Sequence, residues 1–520
     1  MTEKIRGWVV DISMEPPTLN DNTSDAGRLE KALASELKTG SVSIDLGLLK
    51  RLPEILHRFN YACRCVVFRS RGGWLLIDVL DPGGGSIAAG IAVDLGTTRV
   101  VLRMIDLESG DTLSESSFDN PQSSAGADIL SRIHYADRPG GLEKLHALVI
   151  EGINSAVQDL CGSAGILAEQ VCIMAVAGNT TMAHLFMGLP PQWIIREPYI
   201  PVVNTPPVLR ADDLGLAFND SARIFVFPNS GSYFGGDLIS GAYYAGFHEN
   251  EEISVLVDVG TNAEVLLGNR DWLVACAGAA GPALEGGVSE IGMTAGPGVI
   301  DSVAIDPDTG EFLLHTIEQT PPRGICGSGM IDLAAQLFLA GMLDIRGRLV
   351  PEACGERLRE KDGMRHLTVV FGKDSATGVD LTISQADIDS LIRSKAAMYT
   401  ILETITGYVG ISFEDISAFY VAGTFGSYIR PRSAISIGML PDLPEETFQP
   451  LGNSSLKGAV RLLQSRSAVR DIESITERIT YLELNVNQDF MNRFSAAKFL
   501  PHTDAARFPT VAPDVAGGRI

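Results

Sequence analysis

Two short stretches carry an acid, a glycine and a threonine in the same order: AVDLGTTRVVL, residues 92 to 102, and LVDVGTNAEVL, residues 256 to 266. In each, an apolar run ends at an aspartate, Asp94 or Asp258, turns at Gly96 or Gly260, and resumes as apolar residues. Glycine permits a tight turn and a close backbone approach denied to residues with a Cβ. The N–H groups of Gly96, Thr97 and Thr98 can then form a small anion nest. The hydroxyls of Thr97, Thr98 and Thr261 add donors, with Asn262 beside them. A carboxylate repels phosphate but can hold Mg²⁺, usually through its waters, next to one. Asp94 and Asp258 are therefore both catalytic and metal candidates. Two such hairpins facing each other would grip a polyphosphate and its metal between two lobes.

Other residues belong around that core. VAGTFGS, residues 421 to 427, is a late glycine turn in which Gly423, Thr424, Phe425 and Gly426 would let a flat base lie against the backbone. Asn179, Thr180 and Thr181 leave a strand and open a helix, so their N–H groups would position water or a terminal phosphate, or serve only as an N-cap. Gly327, Ser328 and Gly329 in ICGSGM also precede a helix, which suits a phosphate or ribose contact. Glu285 in GPALEGG is a further candidate for the nucleoside. Asp128 and Arg132, four apart in ADILSRI, read as an exposed helix ion pair.

The elements that must carry these residues follow from periodicity. Residues 25 to 38 and 47 to 59 have helical spacing, with Pro53 expected to kink or split the second. YACRCVVF and WLLIDVL flank SRGG as a hairpin, and DPGGGS marks a linker at residues 81 to 86. From residue 87 the pattern is strand, glycine turn, strand, then a helix over about 143 to 160 and the strand VCIMAVAG. The pattern starts again near residue 224. A long helix begins at Ser384 with a capping-box-like Ser-Gln-Ala-Asp and runs to about 408, and AFYV empties into the late glycine turn. This divides the chain into 1–86, a small α+β domain, 87–223, a first lobe, and 224–520, a second.

Bulk composition excludes several classes. Of the 520 residues, 45% are hydrophobic and 20% charged, the composition of a globular protein. Lys and Arg total 41 against 64 Asp and Glu, and a formal charge of −23 without any basic block argues against nucleic acid. No apolar run is long enough to span a bilayer, and the N-terminus lacks the apolar core of a signal peptide. Seven scattered cysteines suit reduced thiols in the cytoplasm. Cys63 and Cys65 lie i, i+2 on a strand and face one way, into packing. No histidine pair has metal-ligand spacing.

The order of these motifs resembles the actin-like ATPase superfamily. More closely, the chain resembles the reductive activators of corrinoid proteins, including the activating enzymes of corrinoid methyltransferases. NPQSSAGADILSRIHYA, VAGNTTMAHLFMG, SYFGGDLISG, ACAGAAGPALEGG, GICGSGMIDL, VAGTFGSYI, LPDLP, LGNSSLKGA and FLPHTD carry the resemblance beside the two hairpins. It implies an α/β fold of two lobes built from duplicated ribonuclease-H-like subdomains, with ATP and Mg²⁺ bound by the residues named above. It also implies ATP-dependent reduction of a corrinoid protein from Co(II) to Co(I), with water attacking the γ-phosphate. An uphill gap of about 300 mV for one electron costs roughly 7 kcal/mol, which explains a need for ATP. The family usually begins with a plant-type [2Fe–2S] ferredoxin domain, whose C-x₄-C-x₂-C spacing is absent here. Electrons are therefore expected from a ferredoxin domain or separate ferredoxin not visible in this chain, and the chain is expected to form a homodimer. A small-molecule kinase or a nucleotide-driven binding switch on the same scaffold is the alternative.

Overall fold

The structure, a computed structural model, describes residues 7–260, 262–279, 281, 289–306, 309–423, 429–484 and 488–511. Its contacts divide the chain into two units, Met1–His248 with Ser454–Arg478, and Glu249–Asn453 with Ile479–Ile520.

The first unit opens with a small sheet of Val9–Ser13 (β1), Val42–Ile44 (β2), Ala62–Ser70 (β3) and Gly73–Leu80 (β4), in the order β1-β3-β4-β2. Helix Asp25–Leu37 packs beside it, capped by the Ser24 hydroxyl, which accepts the Gly27 N–H. The segment around Pro53 is two helices, Leu46–Leu49 and Leu52–Arg58, because proline fits the first turn of a helix but not its interior. Trp8 is fully buried and its indole N–H donates 2.9 Å to the Leu462 carbonyl, tying this sheet to helix Ser454–Gln464.

The rest of the unit is built on Ala89–Leu95 (β5), Arg99–Asp106 (β6), Thr112–Asp119 (β7), Val171–Gly178 (β8), Leu209–Arg210 (β9) and Arg223–Val226 (β10). Their order is β7-β6-β5-β8-β10-β9, with β5, β6 and β7 an antiparallel meander and β8 and β10 parallel to β5. β8 is buried at every position, as a central parallel strand must be. Helix Gly141–Ala164 covers one face through Leu145, Val149, Ile153, Val157 and Leu160, a 3–4 spacing that forms a single apolar stripe.

The second unit repeats the plan. Ser254–Val259 (β11), Asn262–Gly268 (β12) and Leu273–Ala279 (β13) form the meander. Two small three-stranded sheets follow, of Val299–Ile305 (β14), Phe312–Thr316 (β15) and Gly324–Ile325 (β16), and of Leu358–Lys361 (β17), Met364–Val370 (β18) and Leu381–Ser384 (β19). Ala418–Ala422 (β20), Phe448–Gly452 (β21) and Ile479–Leu482 (β22) complete the main sheet in the order β21-β20-β11-β12-β13-β22. Helix Gln385–Val409 starts at Ser384, whose hydroxyl accepts the Asp387 N–H while the Asp387 carboxylate accepts the Ser384 N–H.

The repetition extends to register. Asp94 is the penultimate residue of β5 and stands opposite Val101 and Ala177, while Asp258 is the penultimate residue of β11 and stands opposite Glu264 and Ala422. Each aspartate thus sits at the carboxyl end of a central strand, where open α/β sheets present their ligand crevices.

Candidate functional site

In the first unit the turn after β5 is held from its carbonyl side. The Asn120 side-chain amide donates 2.9 Å to the Gly96 carbonyl, the Arg132 guanidinium donates 2.6 Å to the Thr97 carbonyl, and the Asn120 N–H donates 2.7 Å to the Thr98 carbonyl. In a planar trans peptide the C=O of one residue and the N–H of the next point in opposite directions. Fixing the Gly96 and Thr97 carbonyls therefore aims the N–H groups of Thr97 and Thr98 away from Asn120 and Arg132. This makes the physical basis of an anion nest. A Cβ on Gly96 would lie 2.3 Å from the Arg99 carbonyl oxygen, so only glycine closes this turn.

Arg132 is not the exposed partner of Asp128 that their spacing suggests. It is fully buried, and beyond Thr97 it donates 2.9 Å to the Gly126 carbonyl and 3.2 Å to Gln122 Oε1. Burial pulls its guanidinium down to about 10, still charged at neutral pH. Asp128 caps helix Ile129–Ala136 instead, accepting the Ser131 N–H at 2.7 Å. The i, i+4 spacing does fall on the start of a helix, but its cation turns inward to serve a loop distant in sequence.

Three further segments reach the same strand ends. Asn179 caps helix Thr180–Phe186 by accepting the Met182 N–H, and its amide donates 3.1 Å to the Thr97 hydroxyl. Gly235 lies so close that a Cβ would stand 2.5 Å from Asn179 Cα, and it precedes helix Gly236–Tyr244 with Asp237 in its first turn. Ser455 on helix Ser454–Gln464 donates 2.8 Å to one Asp94 carboxylate oxygen. That helix is locked by Gly458, where a Cβ would fall 2.0 Å from the Ser240 carbonyl.

In the second unit the Gly260 N–H donates 2.8 Å to the Asn262 carbonyl, closing the β11–β12 turn, and Asn262 is exposed at the head of β12. Gly423 follows β20 at φ +78°, and a Cβ there would stand 2.9 Å from Asp258 Oδ1. Gly423 and the acid thus meet, and a side chain would separate them. Thr261, Thr424, Phe425, Gly426 and Glu285 lie outside the described residues. Gly327 begins helix Gly327–Leu339, and the buried Ser328 hydroxyl donates 3.5 Å to the Asp301 carbonyl and lies 3.2 Å from Cys326 Sγ. On the same helix Asp332 is 1% exposed and paired at 3.4 Å with Arg430. Burial pushes the Asp332 carboxyl above the ordinary carboxylate range.

All seven cysteines are buried and free of disulfides. Cys63 and Cys65 do face one way, with sulfurs 3.7 Å apart. Among the described residues no group of His, Cys, Asp and Glu has the arrangement of a metal cage, and no helix is long and apolar enough to cross a membrane.

Comparison with known proteins places this geometry. Three family descriptions match in succession: "RACo linker region" over residues 8–84, "RACo middle region" over 89–250, and "C-terminal domain of RACo the ASKHA domain" over 252–512. The corrinoid activation enzyme RamQ of Eubacterium limosum is 30% identical over 413 residues, covering 78% of this chain and 69% of that protein. The [Co(II) methylated amine-specific corrinoid protein] reductase of Methanosarcina barkeri is 25% identical over 438 residues, covering 78% of this chain and 75% of that protein. The solved structure of a reductive activator for corrinoid, iron–sulfur protein is 37% identical and superimposes with a TM-score of 0.84 over 98% of this chain and 82% of its own. The chain belongs to the RACo family, the reductive activators of corrinoid proteins, and carries its actin-like ATPase fold.

Proposed function

We propose that this protein uses ATP to drive the one-electron reduction of a corrinoid protein from Co(II) to Co(I). The observation that carries the reading is its likeness to a reductive activator across 98% of the chain at 37% identity. The two aspartates at equivalent strand ends support the ATP half of the reaction. Bound Mg²⁺ supplies positive charge beside the phosphates, and Asp94 and Asp258 are the carboxylates we assign to it. Ser455 holds one Asp94 oxygen, which orients the carboxylate. Thr97 and Thr98 receive phosphate oxygens through the amides that the pinned Gly96 and Thr97 carbonyls aim outward, and Gly96 lets the phosphate approach the backbone. Asn179 positions the Thr97 hydroxyl, and through it the phosphate that water attacks.

In the second unit Gly260, Thr261 and Asn262 take the corresponding part. Gly423, Thr424, Phe425 and Gly426 receive the nucleoside, and Gly327 with Ser328 contributes a helix N-terminus. The chain acts as a homodimer in the cytoplasm, and a ferredoxin supplies the electron. Binding energy from the nucleotide is coupled to reduction by favouring the conformation that holds the corrinoid protein in its more easily reduced state.

The test is ATP hydrolysis with and without Co(II)-corrinoid proteins, with Asp258→Ala as the control. Stimulation by one partner, lost in the variant, is the expected result. Transfer of labelled phosphate to a metabolite, without any such stimulation, would favour a kinase instead.

A further inference from the structure

Residues 190 to 208, between helix Thr180–Phe186 and β9, form a long connection whose only regular piece among them is a short 3₁₀ turn, Gln192–Ile194. Long ordered connections without secondary structure are uncommon in compact domains and usually functional. Its outer face carries Trp193, Ile200 and Val202, exposed at 51%, 60% and 52%. Its inner face is held by the buried Ile194 side chain and by hydrogen bonds to its backbone.

Besides the Arg196–Asp137 ion pair, three backbone groups of the loop are tied to the two segments that leave β8 and β10 at the candidate site. The Ser232 hydroxyl donates to the Tyr199 carbonyl, and the Asn229 N–H donates 2.8 Å to the Asn204 carbonyl. The third tie runs through His184, which is wholly buried. Its Nε2 lies 3.1 Å from the Val202 N–H, and its Nδ1 lies 2.7 Å from the Thr180 carbonyl. A backbone N–H can only donate, so Nε2 is the acceptor and Nδ1 carries the proton that it donates to Thr180. An apolar side chain of similar size would leave the Val202 N–H unpaired, which explains a histidine at a fully buried site. The Thr180 hydroxyl adds a bond of 3.4 Å to the Gly231 carbonyl, joining the two tethering segments.

We infer that His184 is a positioning residue that couples the turn at Asn179–Thr180 to the loop of residues 190–208, so that nucleotide held at the turn alters the apolar face the loop presents. The inference rests on the nucleotide reading of Asn179 and Thr97 given above. Ordering the turn fixes the Thr180 carbonyl, which fixes the imidazole, which fixes the Val202 amide. The coupled element is thus a chain of two hydrogen bonds crossing from helix to loop.

Hydrogen exchange of the full chain, with and without ATP and Mg²⁺, reads this directly. Nucleotide is expected to slow exchange in peptides covering residues 195–204 by about fivefold or more, the scale of one stabilised hydrogen bond. Val202→Pro deletes the N–H donor from the exposed side without touching the helix. It should abolish the response while nucleotide affinity, measured by calorimetry, stays within about threefold. His184→Asn, which retains a donor toward Thr180 but lacks a group at the Nε2 position, should behave the same way. A wild-type chain that binds nucleotide with no change over residues 195–204 would overturn the coupling. So would a full response in a folded Val202→Pro protein. Failure of the wild type to bind nucleotide at all would instead remove the functional reading, and the coupling with it.

Discussion

Replacing Arg132 with Met tests whether the nest at Thr97 is built by its buried supports. Met matches the arginine stem in length and flexibility but ends without a donor. Three acceptors, the carbonyls of Thr97 and Gly126 and the Gln122 amide oxygen, lose their partner. Unpaired buried acceptors cost about 1–2 kcal/mol each, offset in part by no longer burying a charge, for a net loss of about 2–4 kcal/mol of stability. The functional loss is separate. Once the Thr97 carbonyl is released, the Thr97–Thr98 peptide can rotate, and re-fixing about one residue on binding costs about 1–2 kcal/mol. That weakens nucleotide affinity about 5- to 30-fold. Arg132→Lys keeps the charge but reaches fewer of the three acceptors, so it should fall between the two. Calorimetric titration with ATP and Mg²⁺ measures affinity, and thermal unfolding measures the stability loss. If Arg132→Met melts lower yet binds nucleotide as tightly as the wild type, the guanidinium is a core strut unrelated to phosphate.

Three other changes follow from single contacts. Gly423→Ala places a Cβ 2.9 Å from Asp258 Oδ1 at a positive φ, so it should cost about 1–2 kcal/mol and weaken Mg²⁺-dependent ATP turnover; unchanged turnover would separate this glycine from the acid. Ser455→Ala removes the donor to Asp94 and should raise the Mg²⁺ concentration needed for half-maximal turnover about fivefold, read from a metal titration, with little change in folding. Burial pushes the Cys354 thiol up to about 11 and those of Cys172 and Cys276 higher still. These three cysteines should therefore resist alkylation at neutral pH in the native protein and react together once it is denatured; rapid native labelling of any one would contradict its burial.

How much of this was legible in the sequence depended on how far apart the interacting residues stand. Asp94–Thr98 and Asp258–Asn262 are contiguous, so residue order alone displayed their acid, turn and hydroxyls. Period-2 alternation likewise put Cys63 and Cys65 on one face. The supports were not legible, because their partners are remote: Asn120 reaches Gly96 across 24 positions, Arg132 reaches Thr97 across 35, and Ser455 reaches Asp94 across 361. Arg132 departs from the exposed pairing its spacing suggests for a physical reason. Its spacing from Asp128 fits an exposed pair, and local periodicity cannot show that the guanidinium finds better acceptors in another segment. Nor does any local pattern announce that residues 454–478 return to the unit formed by residues 1–248. NPQSSAGADILSRIHYA and LGNSSLKGA, which carry the family resemblance, prove to contain these supports: Asn120 and Arg132 in the first, Ser455 in the second.

In the proposed function, nucleotide turnover by this chain drives an unfavourable reduction. The most direct measurement is the absorbance spectrum of a Co(II)-corrinoid protein held with a reduced ferredoxin, followed after addition of this protein and ATP. Conversion to the Co(I) spectrum is expected with ATP and Mg²⁺, and none with a non-hydrolysable analogue or with Asp258→Ala. Equal conversion without ATP, or no conversion by a chain that hydrolyses ATP in response to the same partner, would contradict it.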